Sequence, residues 1–297
     1  MESVWRSIKS PIIQSEIYKT FIDADARIPS YRTKFIKPSQ VDLFQPELSA
    51  REMLEKGLAE RPSIEMRQNN VWHVGNVEYF SDGGGRFAIG RTTLTTVEKF
   101  DETTGNFTEL IDDSGPYTLV YFDSKLGLLG IGKKTKVAAD VRSIARKVQK
   151  LLSSTVLVKR NKIEVRVEFI RDPEGFLQKL FAAYTIKRFK ATFTGPNPID
   201  ADDLFQKPMS YYCQQLEAEQ GSVTVTGESL NENAVAAVAK STAATANDAM
   251  AVIQNAKGER PVSISFKGDA KKVIVEQDTK KEEVLRIIKN TYKEVRQ

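Results

Sequence analysis

One histidine and one cysteine are all that this 297-residue chain offers to the commonest catalytic and metal-binding chemistries. A zinc site of the usual kind needs four Cys or His ligands, and His73 and Cys213 supply two. A Ser-His-Asp or Cys-His arrangement has only His73 to build on. That residue stands in the alternating run Val71-Trp72-His73-Val74, where a strand-borne imidazole making one hydrogen bond is the simpler reading. Cys213, within Tyr211-Tyr212-Cys213, reads as a small packed side chain, and a lone cysteine excludes an internal disulfide framework. No catalytic residue, metal or cofactor is therefore expected. Long apolar runs are missing too: none approaches the roughly 18 residues that a spanning helix needs. Met1 to Arg6 lacks the basic-then-apolar plan of a signal peptide. The expectation is a cytoplasmic protein without direct membrane insertion.

What the chain does have is positive charge in one place. From Lys133 to Lys190 there are 16 Lys/Arg against 5 acids, a local net of +11 in a chain whose total is +5. Everything outside the block sums to −6. Charge gathered into one segment of an otherwise acidic chain points to a surface that meets a polyanion. Read as a helix from Lys136 to Leu152, the block puts Val137, Val141, Ile144, Val148, Leu151 and Leu152 on one arc. Arg142, Arg146 and Lys150 then form a row on the opposite side, at i, i+4 spacing. Lys147 lies beside that row. Lys133, Lys134 and Lys136 precede it, and Lys159, Arg160 and Lys162 follow it. Arg166 sits on a charged strand face, and Lys187, Arg188 and Lys190 lie on a later strand. Such a set would contact phosphates rather than bases, so weak or absent sequence specificity is expected, with DNA a better ligand than RNA.

The rest of the chain predicts an α+β fold in two domains. Residues 1–115 read as a mostly-β domain, an antiparallel meander or partial barrel. Its first part, to about residue 68, is broken by Pro11, Pro29, Pro38, Pro46 and Pro62. One helix is expected there, with Ser49 as N-cap and Glu52 as its capping-box partner. From Val71 to Ile111 the period is two, with turns at Ser81–Gly85 and Asp101–Asn106. Residues 116–297 read as an α/β sandwich carrying the basic surface, with an antiparallel sheet and helices on one face. It includes a long Ala-rich helix over Asn231–Ala256, which packs on its own sheet or serves a dimer contact. A hairpin is expected from Val262–Phe266 to Lys272–Glu276 across Gly268-Asp269, followed by a closing helix over Lys280–Val295.

Two enzymatic patterns come close. Gly127 to Thr135 resembles a phosphate-cradling loop, but Lys134 occupies the position where a hydroxyl must reach the metal, so a glycine-eased hairpin is preferred. Asp140, Glu164 and Glu168 would be the carboxylates of a metal-dependent nuclease, which stands as the alternative function. A further alternative is an interaction protein whose basic face docks an acidic partner.

The order of Lys190-Ala191-Thr192-Phe193, Val262 to Asp269, the short strand to Glu276 and the helix Glu282 to Val295 resembles the phage-exclusion DNA-binding proteins of the RexA type. It is also similar to the DNA-binding subunit of the Kiwa defence system. The resemblance covers the C-terminal part of the chain, about 60% of it, and has no short motif from which residues could be carried over. It implies a homodimer that senses DNA in antiviral phage defence, abortive infection or superinfection exclusion, paired with a membrane-protein effector.

Overall fold

In the computed structural model, residues 26–36, 48–67, 70–80, 83–194, 201–266, 268, 270–276 and 278–296 are described. The chain enters on β1 (Ala26–Ile36), a strand in a region whose prolines predict irregular backbone. Pro29 is tolerated there, while Pro11, Pro38 and Pro46 lie outside the described residues. Helix α1 (Ala50–Ala59) starts at the expected box: Ser49 Oγ accepts from the Glu52 amide and the Glu52 carboxylate accepts from the Ser49 amide. The period-two stretch becomes β2 (Ser63–Arg67), β3 (Asn70–Tyr79), β4 (Gly84–Asp101) and β5 (Asn106–Ser114). β6 (Tyr117–Asp123) and β7 (Leu128–Ile131) form the expected hairpin, with Gly127 in left-handed backbone at φ +61°.

Beyond it come α2 (Val141–Ser154), α3 (Val156–Arg160), β8 (Glu164–Phe169), α4 (Glu174–Phe181), β9 (Thr185–Phe193) and α5 (Gln206–Gln215). The remainder is β10 (Gly221–Thr226), α6 (Glu232–Ala244), β11 (Ala249–Gln254), β12 (Val262–Ser265), β13 (Lys272–Val275) and α7 (Lys281–Arg296). The fold class is α+β. A nine-stranded antiparallel sheet, ordered β13-β1-β7-β6-β4-β3-β2 with β5 on β4 and β8 on β1, curls into a half-barrel. A second, four-stranded sheet runs β10-β9-β11-β12.

Two expectations are corrected. The long helix stops at Ala244, because Ala246 takes left-handed backbone at φ +58°. The Ala246 amide then reaches the Ala243 carbonyl and the Asn247 amide the Thr242 carbonyl, a Schellman closure without glycine. The segment beyond it is strand β11. The expected C-terminal hairpin does not form: β12 pairs with β11 in the small sheet, and β13 pairs with β1 in the large one. Asp269 of its turn lies outside the described residues. The division at residue 115 falls between β5 and β6 of one sheet, where β4 pairs with both strands and β1 pairs with β7, β8 and β13.

Helices cover both faces of the large sheet. Alternation along a strand sends Val120, Phe122 and Leu129 to α1, α2 and α3, while Tyr121, Leu128 and Ile28 face α7 and the small sheet. α7 lies so close that a Cβ on Gly130 would collide with the Ile288 side chain. The Ala-rich α6 packs on β9, β11 and α7, its Ala236, Ala239 and Ala243 buried against Phe189 and Ala251.

Candidate functional site

Asp140 starts α2 as its N-cap, accepting from the Ser143 amide at 2.6 Å, so the helix begins five residues later than the apolar periodicity suggests. Its buried face is Ile144, Ala145, Val148, Leu151 and Leu152, and Arg142, Arg146 and Lys150 are exposed, as the spacing predicts. Arg142 differs from the other two. Its guanidinium lies 4.8 Å from the centre of the Phe169 ring and donates to the Gly268 carbonyl, so it braces α2 against the chain after β12. Beneath it, burial pushes the Tyr31 phenol up to about 12, with the charge of Arg142 opposing.

Lys147 is half-buried, its ammonium 5.5 Å from the centre of the Trp72 ring. Burial lowers its pKa, and the positive charges of Lys150, Arg67 and Arg146 lower it further. Four cations therefore gather at one place, and none of them pairs with a carboxylate among the described residues. Two of them, Lys147 and Arg67, open onto a cleft of about 200 Å³, lined also by Asn70, Arg91, Ser143 and the Val137–Ala139 turn that leads into α2.

The cleft is a product of strand register. On β4 the row facing α2 is Phe87, Ile89, Arg91; on β3 it is Val74, Trp72, Asn70, with Trp72 opposite Arg91. Each row is apolar under the helices and turns polar where that cover ends. On β2, Ile64 pairs with Trp72 and Glu65 with Val71, but Arg67 rather than Met66 pairs with Asn70. The extra residue is a bulge, and it aims Arg67 into the cleft. The Arg91 guanidinium reaches the Lys136 carbonyl at 3.5 Å, which ties the loop before α2 to the same wall. Lys134 of that loop lies 5.0 Å from the centre of the Tyr117 ring. Arg67 and Arg91 were not read from the sequence; a cation ending an apolar period-two row, Phe87-x-Ile89-x-Arg91, is the signal for Arg91, whereas Arg67 is out of step with Ile64 and Met66 and is placed only by the bulge in β2.

The fourteen basic residues proposed from sequence thus divide. Lys133, Lys134 and Lys136 enter α2, Arg142, Arg146, Lys147 and Lys150 ride on it, and Lys159, Arg160 and Lys162 follow at the end of α3. Arg166 cannot join them. Val165 and Val167 face α2, so alternation turns Arg166 to the other side of the sheet, where it is held by Glu164 at 2.6 Å. Lys187 pairs with Glu228 at 3.4 Å. Arg188 and Lys190 project from the face of the small sheet opposite Phe189 and Ala191, beside Thr224 and Thr226 of β10.

The nuclease set does not converge either. Asp140 caps α2, while Glu164 and Glu168 share the strand face turned away from that helix. Glu168 is committed to the buried Lys34 ammonium at 3.0 Å, and burial lowers the pKa of Lys34 despite that partner. Among the described residues no group of three His, Cys, Asp or Glu side chains is placed to hold a metal ion. The His73 ring nitrogens meet Ser63 Oγ at 2.8 Å and Thr92 Oγ1 at 3.0 Å, which makes it a cross-strand tie, with two hydrogen bonds rather than one. Cys213 is buried, its Sγ donating to the Ala218 carbonyl.

No protein-family model matches the chain, and no curated protein matches it in sequence. Among the described residues no helix is long and apolar enough to cross a membrane.

Proposed function

We propose that this protein binds DNA through its phosphate backbone, without reading sequence, on the ridge formed by Arg146, Lys147, Lys150 and Arg67. The observation that carries this reading is the gathering of those four cations with no carboxylate partner among the described residues. Like charges held together destabilise the free protein, and a polyanion relieves that cost by releasing counterions. Lys133, Lys134 and Lys136 extend the ridge along the loop before α2; Lys159, Arg160 and Lys162 extend it past α3. Arg142 acts as a brace with a lesser share in contact, and Arg188 and Lys190 belong to a separate surface. The resemblance to DNA-binding exclusion proteins adds the setting: a dimeric, DNA-sensing component of phage defence, coupled to a membrane effector.

Fluorescence anisotropy against single- and double-stranded DNA and RNA tests the reading. The double variant Arg146→Glu/Lys150→Glu is expected to abolish binding while retaining the circular dichroism spectrum of the parent. Unchanged affinity in that variant would end the proposal. Plasmid incubated with the protein and Mg²⁺ or Mn²⁺ should remain uncut; cleavage would restore the nuclease alternative.

A further inference from the structure

We infer that the cleft between β2, β3, β4 and the start of α2 is a binding site for one phosphate group, closed by Arg67, Arg91 and Lys147. The inference deepens the DNA-binding reading by naming what one point of the ridge holds, and it is tested apart from DNA.

Size is the first argument. A volume of about 200 Å³ accommodates a tetrahedral oxyanion with a little water. It lies below the roughly 300 Å³ at which pockets for drug-sized ligands begin, so a nucleotide does not fit inside. Chemistry is the second. Three cationic side chains and the polar Asn70 and Ser143 line the cleft, and no carboxylate does among the described residues. The third argument is an incomplete hydrogen-bond set. Arg91 Nε and Asn70 Oδ1 are both buried and have no hydrogen-bond partner. A guanidinium presents Nε and one terminal nitrogen as a fork that matches two oxygens of a phosphate. At Arg91 the long 3.5 Å contact to Lys136 engages Nη2 and leaves Nε free. Asn70 can meet an oxyanion through its amide nitrogen, since the oxygen and nitrogen of a carboxamide exchange by a simple flip.

Construction is the fourth argument. Arg91 ends a row otherwise made of Phe87 and Ile89, and a bulge in β2 brings Arg67 to the Asn70 position. A bulge costs ladder regularity, and such features are kept where a side chain must be re-aimed. Lys147 is held over Trp72, so its ammonium has little freedom to lose when an anion arrives. Its pKa is lowered first by burial and then by the neighbouring cations, as expected of an ammonium confined in such a place.

The phosphate could be a terminal monoester or an internal diester of a nucleic acid strand, and the assay separates them. Inorganic phosphate is titrated into the full chain by isothermal calorimetry at constant low ionic strength, with chloride as the control anion. Saturable one-to-one binding is expected. Arg67→Gln and Lys147→Gln, both at the cleft mouth, should each weaken it by about tenfold, the loss of one charge-assisted contact. Arg91→Gln should weaken it further, and its circular dichroism spectrum establishes that β4 is intact. A 5′-phosphorylated oligonucleotide that outcompetes its 5′-hydroxyl twin identifies a terminal phosphate as the occupant; equal competition identifies an internal one. Phosphate binding that is absent, or untouched by Arg67→Gln and Lys147→Gln, overturns the inference. Loss of DNA binding in Arg146→Glu/Lys150→Glu with phosphate binding retained supports it, because the cleft then holds phosphate without Arg146 and Lys150. Phosphate binding by a parent that binds no nucleic acid leaves the inference standing and removes the DNA reading.

Discussion

Salt should reveal how many of the gathered cations meet phosphate. Four side chains converge on the ridge, Arg67, Arg146, Lys147 and Lys150. If each neutralises one phosphate of duplex DNA, log affinity falls against log salt with a slope of about −3.6, at ~0.9 per contact. Raising salt from about 50 to about 200 mM then weakens binding by roughly 150-fold. Arg146→Gln/Lys150→Gln removes two of the four contacts without adding repulsion, so the slope should drop to about −1.8 and the same salt step should cost only about 12-fold. Both residues are exposed and unpaired among the described residues, so the folded state should not notice the change. Anisotropy with a labelled duplex of mixed sequence, repeated over a salt series, yields both slopes. A variant slope equal to the parental slope would mean that the ridge does not lie against the backbone. A parental slope near zero would refute charge-driven binding altogether.

Three predictions concern the scaffold. Ser49→Ala removes the capping box of α1 and should cost about 1 kcal/mol in chemical denaturation; no change would mean that tertiary packing alone holds the helix end. Gly130→Ala drives a methyl into Ile288 and should destabilise by about 1–3 kcal/mol, with partial recovery in Gly130→Ala/Ile288→Val; an additive loss in the double variant would place the strain elsewhere. Lys34 is buried with its pKa lowered chiefly by desolvation, so between that value and the ordinary lysine value of about 10.4 the unfolded chain binds more protons. Stability should therefore rise with pH through that window, and Lys34→Met should flatten the rise; parallel curves for parent and variant would show that Lys34 titrates normally.

Local rules made α1, the β6–β7 hairpin, α2 and α7 legible, because each carries its own signal: a capping box, a glycine turn, or a clean apolar stripe. β1 was not legible. Its core-facing Tyr31 and Phe35 alternate with Ser30, Arg32 and Lys34, which look like solvent-facing residues but are all buried. Arg32 donates to the Leu126 carbonyl and the Tyr292 hydroxyl, and Lys34 meets Thr194 and Glu168, partners from distant parts of the chain. A strand buried on both faces with charges on one of them has no period-two hydrophobic signature. The end of α6 was hidden for a different reason, since an alanine at φ +58° fills a position where glycine is the usual marker. With β11 unrecognised, the partners of β12 and β13 could not be assigned.

The candidate site shows the same division between local and long-range information. The row on α2 follows from 3.6-residue periodicity, and counting charges finds it. That count has no knowledge of which side of a sheet a residue takes, so it included Arg166, which alternation turns away, and Lys187, which Glu228 neutralises. It also passed over Arg67 and Arg91, isolated cations outside the basic block that only strand pairing brings to Lys147. Charge density thus identified the helix, while register built the cleft. The two contributions predict different losses: α2 substitutions should act in proportion to charge and salt, whereas Arg91 should act through geometry. Arg91→Lys keeps the charge but removes the fork, so it should leave the DNA salt slope intact while weakening phosphate binding, though less than Arg91→Gln does. Equal phosphate affinity for Arg91→Lys and the parent would show that the cleft attracts anions by charge alone and has no built geometry.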